Sequence, residues 1–294
     1  MKSARFKQYQ YPILFLAPMV LLILLVMIYP MGSSIAMSFT DKLFTYSKTH
    51  FIGLQNYLHF PHDKMFWLAL LHSIKLTAIG VAGVLVLGLG LALLLNNNAR
   101  HIKFFRGLLF LPWVLPSMVV TLTFRWIYND LYGYANYILT KYEIIQHPVN
   151  LLAETQYVWV GIMIPIIWCF YPFAMVYFLA ALQSIDKNLY EVAQLDGATK
   201  WQMFWSITMP LLKPTLIVIT ILETIWIFCN FDLVYLLTRG GPGDSTLTLS
   251  LYIYKTAFEA LDMGYASAIS VIMFIMLLAF TILYFLVIGR NKTY

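Results

Sequence analysis

Six apolar runs, each long enough to cross hydrocarbon, most constrain what this chain can become. They lie near 11–37, 68–95, 104–128, 157–182, 215–237 and 266–288, and a spanning helix needs about 20 such residues. Of the 294 residues 61% are hydrophobic and only 11% charged, so lipid, rather than water, is the solvent that suits them. Backbone N–H and C=O groups in lipid must be paired within the protein, which makes helices the expected form of these runs. The expected fold class is therefore an all-α integral membrane protein with six transmembrane helices.

The Lys/Arg distribution orients the spans. One set of loops and tails carries Lys2, Arg5, Lys7, Arg100, Lys103, Arg106, Lys187, Lys200, Lys213, Arg290 and Lys292, with only Asp186, Glu191 and Asp196 as acids. The other set is acidic on balance. The first set is expected to be cytoplasmic, and both termini with it. The net charge of +6 reads as this topology signal; no basic run suggests nucleic-acid binding. The first apolar run follows basic residues as a signal peptide does, but it is longer than a usual signal core and no small-x-small site follows. It is expected to remain as an uncleaved span. Cys169 and Cys229 both lie in apolar runs, so no disulfide framework is expected.

Prolines 12, 18, 112, 116, 165 and 172 fall inside the spans. Each removes a backbone donor and favours kinked helices around a cavity. Gly80, Gly83, Gly88 and Gly90 on the second run permit close helix approach.

One polar interruption, DKNLYEVAQLDGATKWQMFWSITMPLLKP at 186–214, separates two of the runs. It reads as two short amphipathic helices broken at Asp196-Gly197. Asp186 is placed to cap the first, and Leu189, Val192 and Ala193 share a face. Gly197 suits a left-handed stop. Thr199 with Gln202 forms a capping-box pattern. Trp201, Phe204, Trp205 and Thr208 form the next face, and Pro210 and Pro214 are expected to end the unit before the fifth span. A face of this kind packs either on its own bundle or on a soluble partner.

EVAQLDGA, followed by Phe204, Ile207 and Pro210, resembles the signature loop of binding-protein-dependent ABC importer permeases, with Val192 where that family usually has Ala. FIGLQNY at 51–57, FRGLLFLPWVLPSMV at 105–119, LAALQSIDKNLYE, LLTRGGPGDSTLTL and GYASAIS resemble its carbohydrate-uptake branch, of the maltose/glycerol-phosphate type. The resemblance implies the type I importer fold, with residues 1–67 as tail, first helix and external loop, 68–289 as the core holding a coupling loop at 183–213, and 290–294 as a tail. It implies a second, homologous permease as heterodimer partner, two ATPase subunits, an extracytoplasmic solute-binding protein, a sugar or related polyhydroxylated substrate, and a bacterial or archaeal plasma membrane. ATP-Mg would sit on the partner ATPase and no cofactor on this chain, which has no G-x-x-x-x-G-K-[ST] loop. In the coupling loop it implies ATPase contacts at Tyr190, Glu191, Ala193, Asp196, Gly197 and Ala198. No catalytic residue follows from it.

Polar side chains inside spans are costly and mark pathways or partners. Glu223, Trp226 and Asn230 are spaced at 3 and 4, expected on one helical face. An acid, an indole and an amide suit a hydroxyl-rich ligand; the alternative is hydrogen bonding to neighbouring helices or to the partner permease. The resemblance implies substrate contacts near the membrane midplane on the spans before and after the signature loop, and the matching stretch of the fourth span, IIWCFYPF, offers Phe170 and Phe173. Asp232 is expected to be structural. Gly241–Asp244 spells G-x-G-D, a pattern of intramembrane aspartyl proteases, but its neighbours Arg239, Ser245 and Thr246 predict a turn. A secondary transporter would need an ion site and inverted repeats, and neither is visible. His59 and His62 lack a third metal ligand. The Asn291-Lys292-Thr293 sequon is expected on the cytoplasmic side, where it carries no meaning.

Overall fold

The computed structural model describes residues 14–45, 49–97 and 100–288. Lys2, Arg5, Lys7, Pro12, Lys48, Arg290, Lys292 and the sequon lie outside them. The described residues are helical, with two isolated bridges, Thr40–Phe51 and Leu43–Asp262, and no longer strand. Five helices are long and apolar enough to cross a membrane: α1 (Leu14–Met37), α2 (Lys64–Leu95), α6 (Val158–Ser184), α8 (Lys200–Phe228) and α11 (Met263–Ile288). The sixth candidate is a bent pair, α3 (Ile102–Val114) and α4 (Ser117–Ile127), meeting at 97°.

That bend falls in the third span at one of the prolines expected to kink it, but it breaks the span into two helices. Leu115 precedes Pro116 and is extended, with φ −73° and ψ 132°, the conformation that a following proline enforces. Pro116 itself, at ψ 140°, stands immediately before α4. Pro112, Pro165 and Pro172 are by contrast carried inside continuous helices. The fifth span also differs from expectation. It begins at Lys200 rather than near 215 and stops at Phe228; the chain resumes as a separate helix, α9 (Asp232–Thr238). Pro210 does not end the preceding unit, because a π turn at Phe204–Thr208 runs directly into the helix and places Pro210 at the start of the next α-helical stretch. The wider π turn changes the backbone hydrogen-bond register where proline has no N–H to give.

The chain divides into two compact units, 1–64 with 253–275, and 65–252 with 276–294. In the first, Asn56 Nδ2 donates to the carbonyls of Ser38 and Thr40 at 2.9 and 3.0 Å. Tyr265 donates its hydroxyl to the buried Asp63 carboxylate at 2.5 Å. Phe39, Tyr57, Phe60 and Tyr265 form a chain of ring contacts. His50 donates its backbone N–H to Asp41 Oδ1 at 2.6 Å, and this hydrogen bond holds the Asp41 carboxyl below the usual carboxylate range.

In the second unit α6 is central: it packs on α3, α8 and α9, and its buried side chains include Ile162, Ile166, Met175 and Phe178. α2 approaches it through glycine. A Cβ at Gly88 would stand 2.8 Å from Ala174 Cβ and 3.1 Å from the Met175 backbone nitrogen, so only glycine fits there. Gly90 has nothing within 4 Å and is not part of that contact. Ser73 Oγ accepts the buried Leu249 N–H at 2.7 Å, which fastens the start of α10 (Leu249–Tyr254) to α2.

Candidate functional site

The polar segment folds as a capped turn. The Asp186 side chain accepts the Asn188 N–H at 3.0 Å and starts α7 (Lys187–Leu195). Gly197 adopts φ +81°. Around it the Gly197 N–H donates to Gln194 O at 3.0 Å and the Ala198 N–H to Ala193 O at 2.9 Å, so the last carbonyls of α7 are satisfied. Thr199 and Gln202 then form the reciprocal capping box that opens α8.

Several large apolar side chains of this turn face outward, while Met203 is buried. Leu195 is 88% exposed, Trp201 69% and Val192 58%. Glu191, Asp196 and Gly197 are exposed too, while Tyr190, Ala193 and Ala198 are partly covered. Trp201, Phe204 and Trp205 touch one another, with centroids 5.3–6.0 Å apart. The Tyr190 hydroxyl ties the turn to the bundle, lying 2.8 Å from the buried Thr208 Oγ1 on the π turn of α8. Of the six residues assigned to the coupling loop by resemblance, Tyr190, Glu191 and Ala193 lie on α7 and Asp196, Gly197 and Ala198 in the turn that follows it.

The second candidate region is a knot of half-buried rings among α3, α6 and α8. Phe173 lies 4.7 Å from Trp226 and 5.2 Å from Trp113; Trp113 lies 5.3 Å from Trp226 and 5.9 Å from Phe170. Tyr177 extends the group at 4.4 Å from Phe173. Phe170, Phe173 and Trp226 thus lie in one group of rings, joined through Trp113. Trp113 and Tyr177 join them unanticipated. The sequence signals for Trp113 were its place between two prolines in LPWVLP and within the family-like stretch at 105–119.

Two residues depart from expectation. Asn230 is not on the stripe of Glu223 and Trp226, because the helix ends at Phe228 and Asn230 instead accepts the Leu233 N–H at 3.3 Å, at the start of α9. Glu223 is on the helix but fully buried, and neither carboxyl oxygen has a hydrogen-bond partner in the protein. Asp232 occupies the first turn of α9, where a negative charge suits the helix dipole. Lys75 stands 4.0 Å over the Trp159 ring. Gly243 and Asp244 have positive φ in the turn after α9, outside every helix long enough to cross a membrane. This is the turn expected of G-x-G-D. Among the described residues no three His, Cys, Asp or Glu side chains gather as metal ligands.

Residues 84–292, which include both regions, match the family described as binding-protein-dependent transport system inner membrane component. The chain belongs to that family. Among curated members, the sulfoquinovosyl glycerol transport system permease protein SmoG of Agrobacterium fabrum is 37% identical over 95% of this chain and 90% of its own length. The trehalose/maltose transport system permease protein MalF of Thermococcus litoralis is 35% identical over 95% and 93%. The fold is that of a bacterial ABC transporter involved in the import of the acidic polysaccharide alginate, with a TM-score of 0.85 over 99% of both chains at 22% identity. Like its relatives in the binding-protein-dependent family, the chain is a multi-pass inner-membrane permease component, a transport subunit rather than an enzyme.

Proposed function

We propose that this chain is one of two homologous permeases in an ATP-driven importer of a sugar or related polyhydroxylated solute. The observation that carries the reading is the capped turn at 186–203, whose Leu189, Val192, Leu195 and Trp201 side chains stand in the open. A surface of that kind costs free energy until something covers it. A separate ATPase would seat there, on Tyr190, Glu191, Ala193, Asp196, Gly197 and Ala198. The Tyr190–Thr208 bond offers a route from that seat to α8. ATP-Mg belongs to the ATPase in this scheme. Closure of its dimer moves α7, and the core at 68–289 rocks between inward- and outward-open states. Both termini lie in the cytoplasm, on the side of the basic loops, and a solute-binding protein delivers substrate from the opposite face.

The substrate class follows the relatives, whose names specify trehalose/maltose, lactose and sulfoquinovosyl glycerol. The half-buried rings of Phe170, Phe173 and Trp226, with Trp113 beside them, suit the apolar face of a sugar. Asn230 keeps its amide NH2 group for a hydroxyl. Glu223 lies one helical turn before Trp226 and would meet ligand only in another state of the cycle.

The test is reconstitution of the complete importer in vesicles, with ATPase rate measured across a panel of sugars presented on the solute-binding protein. Stimulation by one sugar class, lost on removal of the binding protein, is the expected result. Solute accumulation by the purified chain alone would overturn the reading.

A further inference from the structure

A cavity of about 520 Å³ opens where three apolar helices stop: the end of α2, the start of α3 and the end of α6, with the first turn of α7 closing it. Asn96, Lys103, Arg106, Gln183, Lys187 and Tyr190 supply its polar wall. No carboxylate lines it, and among the described residues none lies within ion-pair distance of Lys103, Arg106 or Lys187. Three like charges around one cavity repel one another. Arg106 is fixed in place, since its Nη2 donates to Leu95 O at 2.8 Å, yet its Nε is buried with no partner. A buried donor left unpaired is costly, and more so on a charged group. Asn96 and Gln183 add amide donors.

This is the donor set for a phosphate: fixed positive charge, a guanidinium with hydrogens to spare, and amides around it. We propose that the cavity binds a phosphate-bearing anion. Its location at the ends of apolar spans is the depth of lipid headgroups, and basic pockets between membrane helices on the cytoplasmic side bind such groups. A soluble phosphoester carries the same chemistry. Only the assignment to the inner leaflet rests on the orientation proposed above. Because Lys187 and Tyr190 both belong to α7, an occupant links α3 and α6 to the coupling turn, and so sets how firmly that turn is held.

The test uses the full-length chain in detergent, with phosphatidylglycerol or phosphatidylcholine added in equal amounts and bound lipid read by native mass spectrometry. Each basic side chain facing a phosphate contributes about fivefold. The pair Lys103→Gln with Lys187→Gln, which leaves the structural Arg106 in place, should therefore lower phosphatidylglycerol retention about 25-fold. Lys103→Arg with Lys187→Arg should retain it, and so should Lys213→Gln, which removes a basic residue outside the cavity. Retention that millimolar inorganic phosphate or glycerol 3-phosphate does not displace identifies a headgroup. Displacement, with a rise in unfolding temperature that the Gln pair lacks, identifies a soluble phosphoester. The readout involves neither sugar nor ATPase, so its failure is distinct from failure of the transport reading. Equal retention of phosphatidylglycerol by wild type, the Gln pair and Lys213→Gln, with no phosphate-dependent shift that separates them, overturns the proposal.

Discussion

The capped turn at 186–203 and the ring knot of Trp113, Phe170, Phe173 and Trp226 both depend on aromatic and apolar side chains, but they spend them in opposite ways. The knot gathers its rings from three helices and half-covers them within the chain. The turn is built by hydrogen bonds between residues two to five positions apart, and leaves Leu195 and Trp201 in the open. The knot is held by tertiary packing, whereas the turn is held by its own backbone. A region that keeps its shape without burying its apolar groups is organised to be covered by something else.

The sharpest way to break this contrast is Gly197→Pro. Proline fixes φ near −65°, against +81° here, and removes the N–H that Gln194 O accepts. Co-purification of the ATPase should fall at least about tenfold while the spans stay inserted; pull-down with membrane quantification measures both. Normal co-purification would mean that the turn is not what the partner grips. Trp226→Ala tests the other region. It removes the ring that meets both Trp113 and Phe173, and should cost about 2–4 kcal/mol in detergent unfolding while leaving ATPase docking intact.

Glu223→Met addresses a cost inside the bundle. A buried polar group without a partner costs about 1–3 kcal/mol, so this variant should unfold later than wild type. Sugar-stimulated ATPase activity should fall in the same protein if the carboxyl meets ligand during the cycle, a stability gain at the expense of function. A lower unfolding temperature would show that the acid has a partner. Thr199→Ala removes half of the capping box and should cost about 0.5–2 kcal/mol of local stability, visible as faster amide exchange at 199–203. Tyr190→Phe should be the mildest. It loses only the bond to Thr208, about 0.5–1.5 kcal/mol, and should weaken the link between nucleotide and transport before it weakens docking.

The same contrast explains which parts the amino-acid order made readable. Asp186, Gly197, Thr199 and Gln202 act on neighbours a few residues away, so each was visible where it stands. Trp226 was legible as spacing on a single helix and Phe173 through the family resemblance, but Trp113 lies 60 residues before Phe173 and reaches it only through the packing of α3 on α6. The proline-rich stretch at 112–116 was legible as a site of strain; that Pro116 turns the chain through 97° while Pro112 stays helical was not. A carboxylate in an apolar run suggests a pathway. Glu223 shows that a helix can also turn such a group into its own packing, which no periodicity announces.

The exposure of Leu195 and Trp201 has a consequence for the cell as well as for the machine. Copies made in excess of their companion carry an uncovered apolar knob that chaperones and proteases recognise. The steady abundance of this subunit should therefore follow the supply of the protein that shields it, and balanced synthesis becomes a condition of its survival.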